Sequence, residues 1–245
     1  MRLATFTIGS DKTGEKQQFK NLKNVTIDFD EYEWITVVIG WNGTGKSNVL
    51  EALATLFRDL IMEKDQWGNK DKPSFAYVLR YQCHGKDIEI DADPDRASNV
   101  YKISFQDLNC SDTEPADGQS TLSNEGGRSL LPIKFSQFKL DRDAFVPKYV
   151  FGYYSGPNDR LKNIFRPYLQ QYDSKLRSAK SEDPGFRRLF YALPVHSQFV
   201  LLAFVLQQDE LVQEFLDQQL GLDTNEESES VDSVLLVLNL SLIHI

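Results

Sequence analysis

Eight consecutive residues, Gly40 to Ser47, carry the residue types and the spacing of a phosphate-binding loop. They read Gly-Trp-Asn-Gly-Thr-Gly-Lys-Ser, which fits the pattern of glycine, any four residues, glycine, lysine, and serine or threonine. The glycines at 40, 43 and 45 let the backbone approach a multiply charged anion closely, because any Cβ would intrude. Successive N–H groups of such a loop, at the start of a helix, can bind the anion. The pattern therefore predicts a site for the phosphate groups of a nucleotide.

Two side chains of the loop have the chemistry to complete this site. Lys46 would reach the β- and γ-phosphates of a nucleoside triphosphate, and the hydroxyl of Ser47 would be a ligand of Mg²⁺. The other predicted binding residues are in the loop and in the first turn after it, at Gly40, Asn42, Gly43, Thr44, Gly45 and Asn48. Cys83 and His84 have no second pair at metal-ligand spacing, so we interpret them as ordinary strand-end residues.

The segments on both sides of the loop predict the strand–loop–helix order that the motif requires. Residues 34–39 (Trp-Ile-Thr-Val-Val-Ile) form an almost continuous apolar run, which is typical of a strand buried on both faces. After the loop, helical spacing continues to about Lys64 in the apolar residues Val49, Leu50, Leu53, Leu56, Phe57, Leu60 and Ile61. An accidental glycine-rich turn is the weaker interpretation.

The residues around the lysine resemble the ATP-binding heads of SMC, RecF and OLD-like proteins, which are ABC-type ATPases. The resemblance rests on Asn42, on residues 47–52 (Ser-Asn-Val-Leu-Glu-Ala) and on residues 19–24 (Phe-Lys-Asn-Leu-Lys-Asn). Trp41 departs from the smaller or charged residue common in these heads. The resemblance implies an α/β P-loop NTPase fold with a mixed sheet, N-terminal antiparallel strands and a helical lobe. It also implies ATP and Mg²⁺ as cofactors, hydrolysis by two paired heads, and Lys20 and Asn21 as weak candidates for contact with adenine.

A second resemblance covers residues 149–161 and 195–203, which are similar to AAA-type ATPases found beside bacterial restriction systems. It implies a defence-associated ATPase with a nuclease or restriction partner. A GTPase is excluded because the guanine-reading pattern at residues 69–72 has Lys72 where a carboxylate is required. One alternative stays open: a nucleotide-gated interaction module that binds ATP and scaffolds a defence complex without hydrolysing it.

Composition and charge limit the class of protein further. The 245 residues are 41% hydrophobic and 26% charged, which is typical of a soluble globular protein. The longest apolar run, residues 199–206, is too short to cross a bilayer. Two cysteines, Cys83 and Cys110, cannot form a disulfide framework, so we expect a cytoplasmic protein. The net charge of −9 argues against a chain that coats DNA by bulk electrostatics.

One region, Arg160 to Arg188, has the opposite charge balance. It contains eight basic residues (160, 162, 166, 175, 177, 180, 187 and 188) against three acidic ones (173, 182 and 183). Such a stripe could contact DNA or an acidic face of a partner, and a solvated helix face is the alternative.

The order of predicted elements divides the chain into three parts. An N-terminal ATP-binding lobe covers residues 1–155, with strands at 3–8, 25–29, 75–81, 87–90 and 100–105. Strand character returns at 132–140 and 149–154, and 109–128 is a mobile insertion. A helical lobe covers 156–222, with helices from the N-cap Asn158 to about Ser178 and from His196 to Leu220. Residues 223–245 comprise a linker and the start of a second half.

The residues that hydrolyse ATP in the resembled heads have no counterpart between positions 1 and 245, so we identify no catalytic residue here. The pair Asp209-Glu210 lies in a helical pattern, and the apolar run 234–238 ends in Asn239 rather than in a carboxylate. We expect the chain to be an N-terminal fragment. Residues 240–245 resemble translated adapter sequence, with an ordinary apolar tail as the alternative.

Overall fold

The computed structural model describes residues 1–29, 35–62, 72–108, 122–124, 128–154, 156, 158–178, 186–206 and 210–220. The chain divides into two compact units, Met1–Tyr191 and Ala192–Ile245. The first unit is α/β, and the described part of the second is helical.

An antiparallel sheet of seven strands forms the centre of the first unit. Its spatial order is β2-β1-β3-β4-β5-β7-β6. The strands are β1 (Arg2–Ile8), β2 (Val25–Asp28), β3 (Tyr77–Cys83), β4 (Lys86–Ala92), β5 (Tyr101–Asp107), β6 (Leu122–Asn124) and β7 (Arg128–Ile133). Alternate residues of the central strands are buried, as the period of two in a strand requires. One face of the sheet therefore forms the core.

The helix α1 (Lys46–Ile61) packs against this core and carries the phosphate-loop residues at its start. Phe57 of α1 meets Tyr81 of β3 edge to face, with ring centroids 6.2 Å apart. The helix α1 also contacts α4 (Arg160–Arg177). Ala52, Leu56 and Leu60 are fully buried. This apolar packing, rather than helix propensity, holds the N-terminus of α1 in place.

Three shorter features complete the first unit. The helices α2 (Phe135–Leu140) and α3 (Arg142–Phe145) contribute a run of aromatic rings, with Phe135 stacked on Tyr101 at 4.2 Å. Strands β8 (Val150–Gly152) and β9 (Leu189–Tyr191) pair in parallel as a separate two-stranded sheet. Parallel and antiparallel pairings thus lie in two sheets, whereas the sequence predicts one mixed sheet.

The second unit contains α5 (Pro194–Leu206) and α6 (Glu210–Leu220) among its described residues. Phe204 and Phe215 join them edge to face at 5.7 Å. Within the ranges that the structure covers, no helix combines the length and the hydropathy needed to span a membrane.

Most predicted elements of the first unit are confirmed, because the antiparallel strands β1 to β5 and the helix after the loop lie where the alternation and the helical spacing place them. The predicted strand at 132–140 is wrong beyond Ile133, since residues 135–140 form α2. The N-cap of α4 is Asp159 rather than Asn158, whose side-chain oxygen still accepts a hydrogen bond from the N–H of Arg160 at 3.3 Å. The predicted helix 196–220 is two helices.

The buried strand predicted before the loop is also wrong over its described residues. Residues 35–39 have no strand conformation, and Ile35 and Ile39 are 80% and 88% exposed. An apolar run becomes a buried strand only beside a hydrogen-bonded neighbour, and no strand in the described part of the chain pairs with it.

Several predicted features lie on residues that the structure does not describe. These are the pattern at 69–71, most of the insertion 109–128, the pair member Asp209 and everything after Leu220, including the linker, the apolar run 234–238 and residues 240–245. Within the predicted insertion, Leu122–Asn124 is a strand paired with Arg128–Leu130.

Candidate phosphate-binding loop

The loop before α1 is a compact turn that uses glycine where the backbone requires it. Gly43 and Gly45 have φ angles of 87° and 98°, in the left-handed region that L side chains rarely adopt. The hydroxyl of Thr44 donates a hydrogen bond of 2.8 Å to the carbonyl of Trp41. These features close the loop over residues 40–45.

The N-terminus of α1 is open toward this loop. Gly45 is the N-cap and has no side chain with which to cap the helix, and the first turn contains no acidic residue. The first N–H groups of a helix have no partner inside it, and the helix dipole places partial positive charge there. An anion held by the loop would therefore find backbone donors directed at it.

Lys46 lies within the loop and bonds to it. Its ammonium donates to the carbonyl oxygens of Gly40 at 2.6 Å and of Trp41 at 2.7 Å. The side chain is thus folded back over the place where a phosphate group would lie. A phosphate oxygen carries more negative charge than a carbonyl oxygen, so it would compete effectively for the same N–H donors.

The other predicted binding residues surround this point. Ser47 is exposed on the first turn of α1, and Asn42 is exposed on the loop. Asn48 donates to the side-chain oxygen of Asn21 at 2.5 Å. Gly40 lies close to Thr44, whose hydroxyl oxygen would be 3.1 Å from an added Cβ. The structure thus brings residues 40–48 together at one helix end, with Asn48 engaged by a neighbouring turn.

That neighbouring turn, Phe19 to Leu22, packs directly on the loop. Phe19 and Leu22 exchange backbone hydrogen bonds of 2.9 Å in both directions. A Cβ on Gly45 would lie 2.9 Å from Leu22 and 3.3 Å from Asn21. Any other residue at position 45 would therefore require the side chain of Leu22 to shift, in addition to the strain of positive φ.

An ion pair between the buried Glu51 and the partly exposed Lys20 fixes the same turn to α1. Glu51 is buried, with 7% of its side chain exposed, and it accepts a short hydrogen bond from Lys20. Arg160 at the start of α4 lies 3.8 Å from the other carboxylate oxygen. Sequence reasoning missed Glu51. Its position between Leu50 and Ala52 in an otherwise apolar helical pattern indicates burial. A buried carboxylate requires a partner, so the sequence could have predicted an ion pair for Glu51.

Four of the eight basic residues from 160 to 188 form ion pairs within the chain. Arg160 meets Glu51, Lys162 meets Asp159 at 3.4 Å, and Arg187 meets Asp173 at 3.0 Å. Arg188 is bonded to Asp143. The structure therefore places part of the predicted stripe in intramolecular ion pairs rather than on one continuous cationic surface.

Cys83 and His84 lie at the end of β3, as predicted. Burial raises the pKa of the Cys83 thiol, and a ring nitrogen of His84 lies 3.3 Å from the carbonyl oxygen of Val146. No group of three or more His, Cys, Asp or Glu in the described ranges could hold a metal ion.

An α/β unit with a glycine-rich loop at a helix N-terminus has the features of a nucleotide-binding domain. A family model described as an AAA ATPase domain matches residues 17–183, which is more than half of the chain. The chain therefore belongs to the AAA ATPase domain family, whose chemistry is the binding and hydrolysis of ATP. No curated protein and no solved structure matches the chain.

Proposed function

We propose that residues 40–48 bind the triphosphate of Mg·ATP and that this is the site of the family's activity in this chain. The observation that carries the proposal is the open N-terminus of α1, which begins at Lys46 behind a loop with two glycines at positive φ. Backbone N–H groups of residues 43–47 would donate to the phosphates, which is the arrangement that helix N-termini offer to anions.

Lys46 would provide the mobile positive charge of the site. Its ammonium would exchange the carbonyls of Gly40 and Trp41 for β- and γ-phosphate oxygens. The hydroxyl of Ser47 would be a ligand of Mg²⁺. In such a site Mg²⁺ neutralises the charge that develops between the β- and γ-phosphates.

The proposal extends to the assembly of the protein and to the partner on which ATP hydrolysis acts. The resemblance to SMC, RecF and OLD-like heads supports hydrolysis by a homodimer, with a nuclease or restriction complex, or DNA, as the object of the work. A paired arrangement would bring a second chain to the exposed loop, where Trp41 is 87% exposed.

A second candidate function is nucleotide-gated binding without hydrolysis. One observation favours it, and it concerns Glu51, the first carboxylate after Lys46 in the sequence. Glu51, the acidic residue one turn into α1, is engaged with Lys20. A carboxylate that polarises the attacking water is a requirement of hydrolysis.

Steady-state phosphate release separates the two candidates. The chain and its Lys46→Ala variant are compared with Mg²⁺ and with a chelator, over a range of protein concentrations. Release that depends on Lys46 and Mg²⁺ and rises per chain with concentration supports hydrolysis by paired heads. ATP binding with release equal to that of Lys46→Ala shows that residues 1–245 bind ATP without hydrolysing it, as the lack of an identified catalytic residue predicts. Absence of ATP binding contradicts both.

A further inference from the structure

A cavity of about 170 Å³ lies at the other end of α1, away from the phosphate loop. The helix has 16 residues, so the two places are about 24 Å apart along its axis. Three cationic and three aromatic side chains contribute to the lining: Arg142, Lys175, Arg188, Tyr168, Tyr172 and Phe186. No residue of the phosphate loop takes part.

The cationic side of the cavity is held in place by the fold. Arg142 donates to the carbonyl of Ile61, the last residue of α1, at 2.7 Å. Arg188 is bonded through one terminal nitrogen to Asp143, whose side chain is 82% exposed. The other terminal nitrogen, Nη1, is buried and has no hydrogen-bond partner among the described residues. A buried guanidinium donor without an acceptor is costly, and a bound anion would supply the acceptor.

The aromatic side of the cavity offers flat surfaces. Tyr168 and Tyr172 lie one turn apart on α4 with centroids 6.4 Å apart and planes inclined by 29°. The hydroxyl of Tyr168 accepts a hydrogen bond of 2.9 Å from the backbone N–H of Arg188, which ties the rings to the cationic side. Phe186 contributes to the same cavity and is 86% exposed. An exposed ring beside cations fits a ligand that has both a flat ring and negative charge.

We propose that this cavity binds a nucleoside 5′-monophosphate unit, with its phosphate in the cavity at Arg188 and Lys175 and its base on the exposed ring of Phe186, because the ring of Tyr172 is already covered by the guanidinium of Arg187. The volume suffices for the phosphate group, and the ion pairing of Arg160, Lys162 and Arg187 favours one nucleotide over an extended strand. The same chemistry occurs in a free mononucleotide and at a 5′-phosphorylated end of a nucleic-acid strand. An acidic peptide would use the cations and not the exposed ring of Phe186.

The test is calorimetric titration of AMP into the Lys46→Ala chain, in which the proposed ATP site is weakened. Adenosine is the control ligand without a phosphate. Arg188→Gln and Lys175→Gln are introduced in this background, and Arg166→Gln is the matched control because Arg166 is exposed on α4 and does not line the cavity. Lys175 is exposed, so its substitution leaves the fold intact even if Arg188→Gln lowers the melting temperature.

We expect AMP to bind, and we expect Arg188→Gln and Lys175→Gln to weaken it roughly ten- to a hundredfold, the effect of losing a hydrogen bond to a charged group. Arg166→Gln leaves the affinity unchanged. Oligonucleotides with and without a 5′-phosphate identify the source: tighter binding of the phosphorylated form than of AMP assigns the site to a strand end. The proposal is overturned if AMP does not bind, if adenosine binds equally well, or if Lys175→Gln has no effect. Loss of ATP binding alone leaves it standing, because the cavity and the phosphate loop share no residue.

Discussion

The ammonium of Lys46 lies 2.6 Å from the carbonyl oxygen of Gly40, so the first and seventh residues of the loop are joined by a hydrogen bond. This bond, and the parallel one to Trp41, close the loop around the place where phosphate groups would lie. A charged donor of this kind forms bonds about twice as strong as neutral ones, and it keeps the closed shape without a ligand. Binding would therefore require exchange of partners by one side chain rather than folding of the loop.

The two left-handed glycines of the loop predict different costs for the same substitution. An added Cβ at Gly43 meets nothing within 4 Å, so Gly43→Ala should cost only the strain of positive φ, about 1 kcal/mol. At Gly45 the Cβ would also lie 2.9 Å from Leu22. We expect Gly45→Ala to destabilise the chain by roughly 1–3 kcal/mol more than Gly43→Ala in urea unfolding. Equal losses would show that the turn at 19–22 does not press on the loop.

The buried carboxylate of Glu51 predicts a stability effect that surface ion pairs lack. Glu51→Gln removes the charge that faces Lys20 and Arg160 in a site where 7% of the side chain is exposed. We expect a loss of roughly 1–3 kcal/mol in the free energy of unfolding. Lys162→Gln is the matched control, because its partner Asp159 is exposed, and it should change stability by less than about 1 kcal/mol. Similar losses of unfolding free energy in both variants would contradict the claim that the buried carboxylate of Glu51 stabilises the fold.

The sequence predicts those elements of the fold whose position follows from the local spacing of apolar residues. Alternation located β1 to β5, and helical spacing located α1, because one buried face imposes these periods. The prediction of a buried strand at 35–39 is wrong because the hydrophobicity of a segment gives no information about which strands lie beside it. Lys20 and Glu51 are 31 positions apart, and the cavity at Arg188 combines residues from four segments. Contacts of that kind arise from tertiary packing and leave no local pattern.

Asp93 predicts how acid affects the first unit. Burial alone would raise the pKa of Asp93, but hydrogen bonds from Lys12, Gln17 and the backbone N–H of Asp95 outweigh it and lower the pKa to about 2. A depressed pKa stabilises the fold above the unfolded value, near pH 4, and the contribution disappears as the pH falls toward 2.

We therefore expect Asp93→Asn to lose about 2 kcal/mol at neutral pH and to flatten the stability curve between about pH 4 and 2. Unfolding by denaturant at a series of pH values measures this directly. The exposed Asp11, changed to Asn, is the control. If the unfolding free energy of Asp93→Asn depends on pH between about 4 and 2 as strongly as that of the unmodified chain, the hydrogen bonds to Asp93 do not stabilise the fold.

Nucleotide selectivity is predicted to be low. The loop contacts phosphates rather than the base, and both weak candidates for adenine contact are engaged elsewhere, Lys20 with Glu51 and Asn21 with Asn48. We expect ATP to be preferred over GTP only modestly in competition with a fluorescent ATP analogue. A strong preference for GTP would contradict the assignment to ATP.

Calorimetric titration of Mg·ATP into the chain and into Lys46→Ala tests the central claim most directly. Lys23→Ala is the matched control, because Lys23 is exposed and lies outside the loop. The account predicts that Lys46→Ala weakens binding by roughly 2–4 kcal/mol, or about thirty- to a thousandfold, since the phosphates lose their main side-chain partner. Lys23→Ala should bind as the unmodified chain does. Equal affinity of Lys46→Ala and the unmodified chain would contradict the identification of residues 40–47 as the phosphate-binding loop.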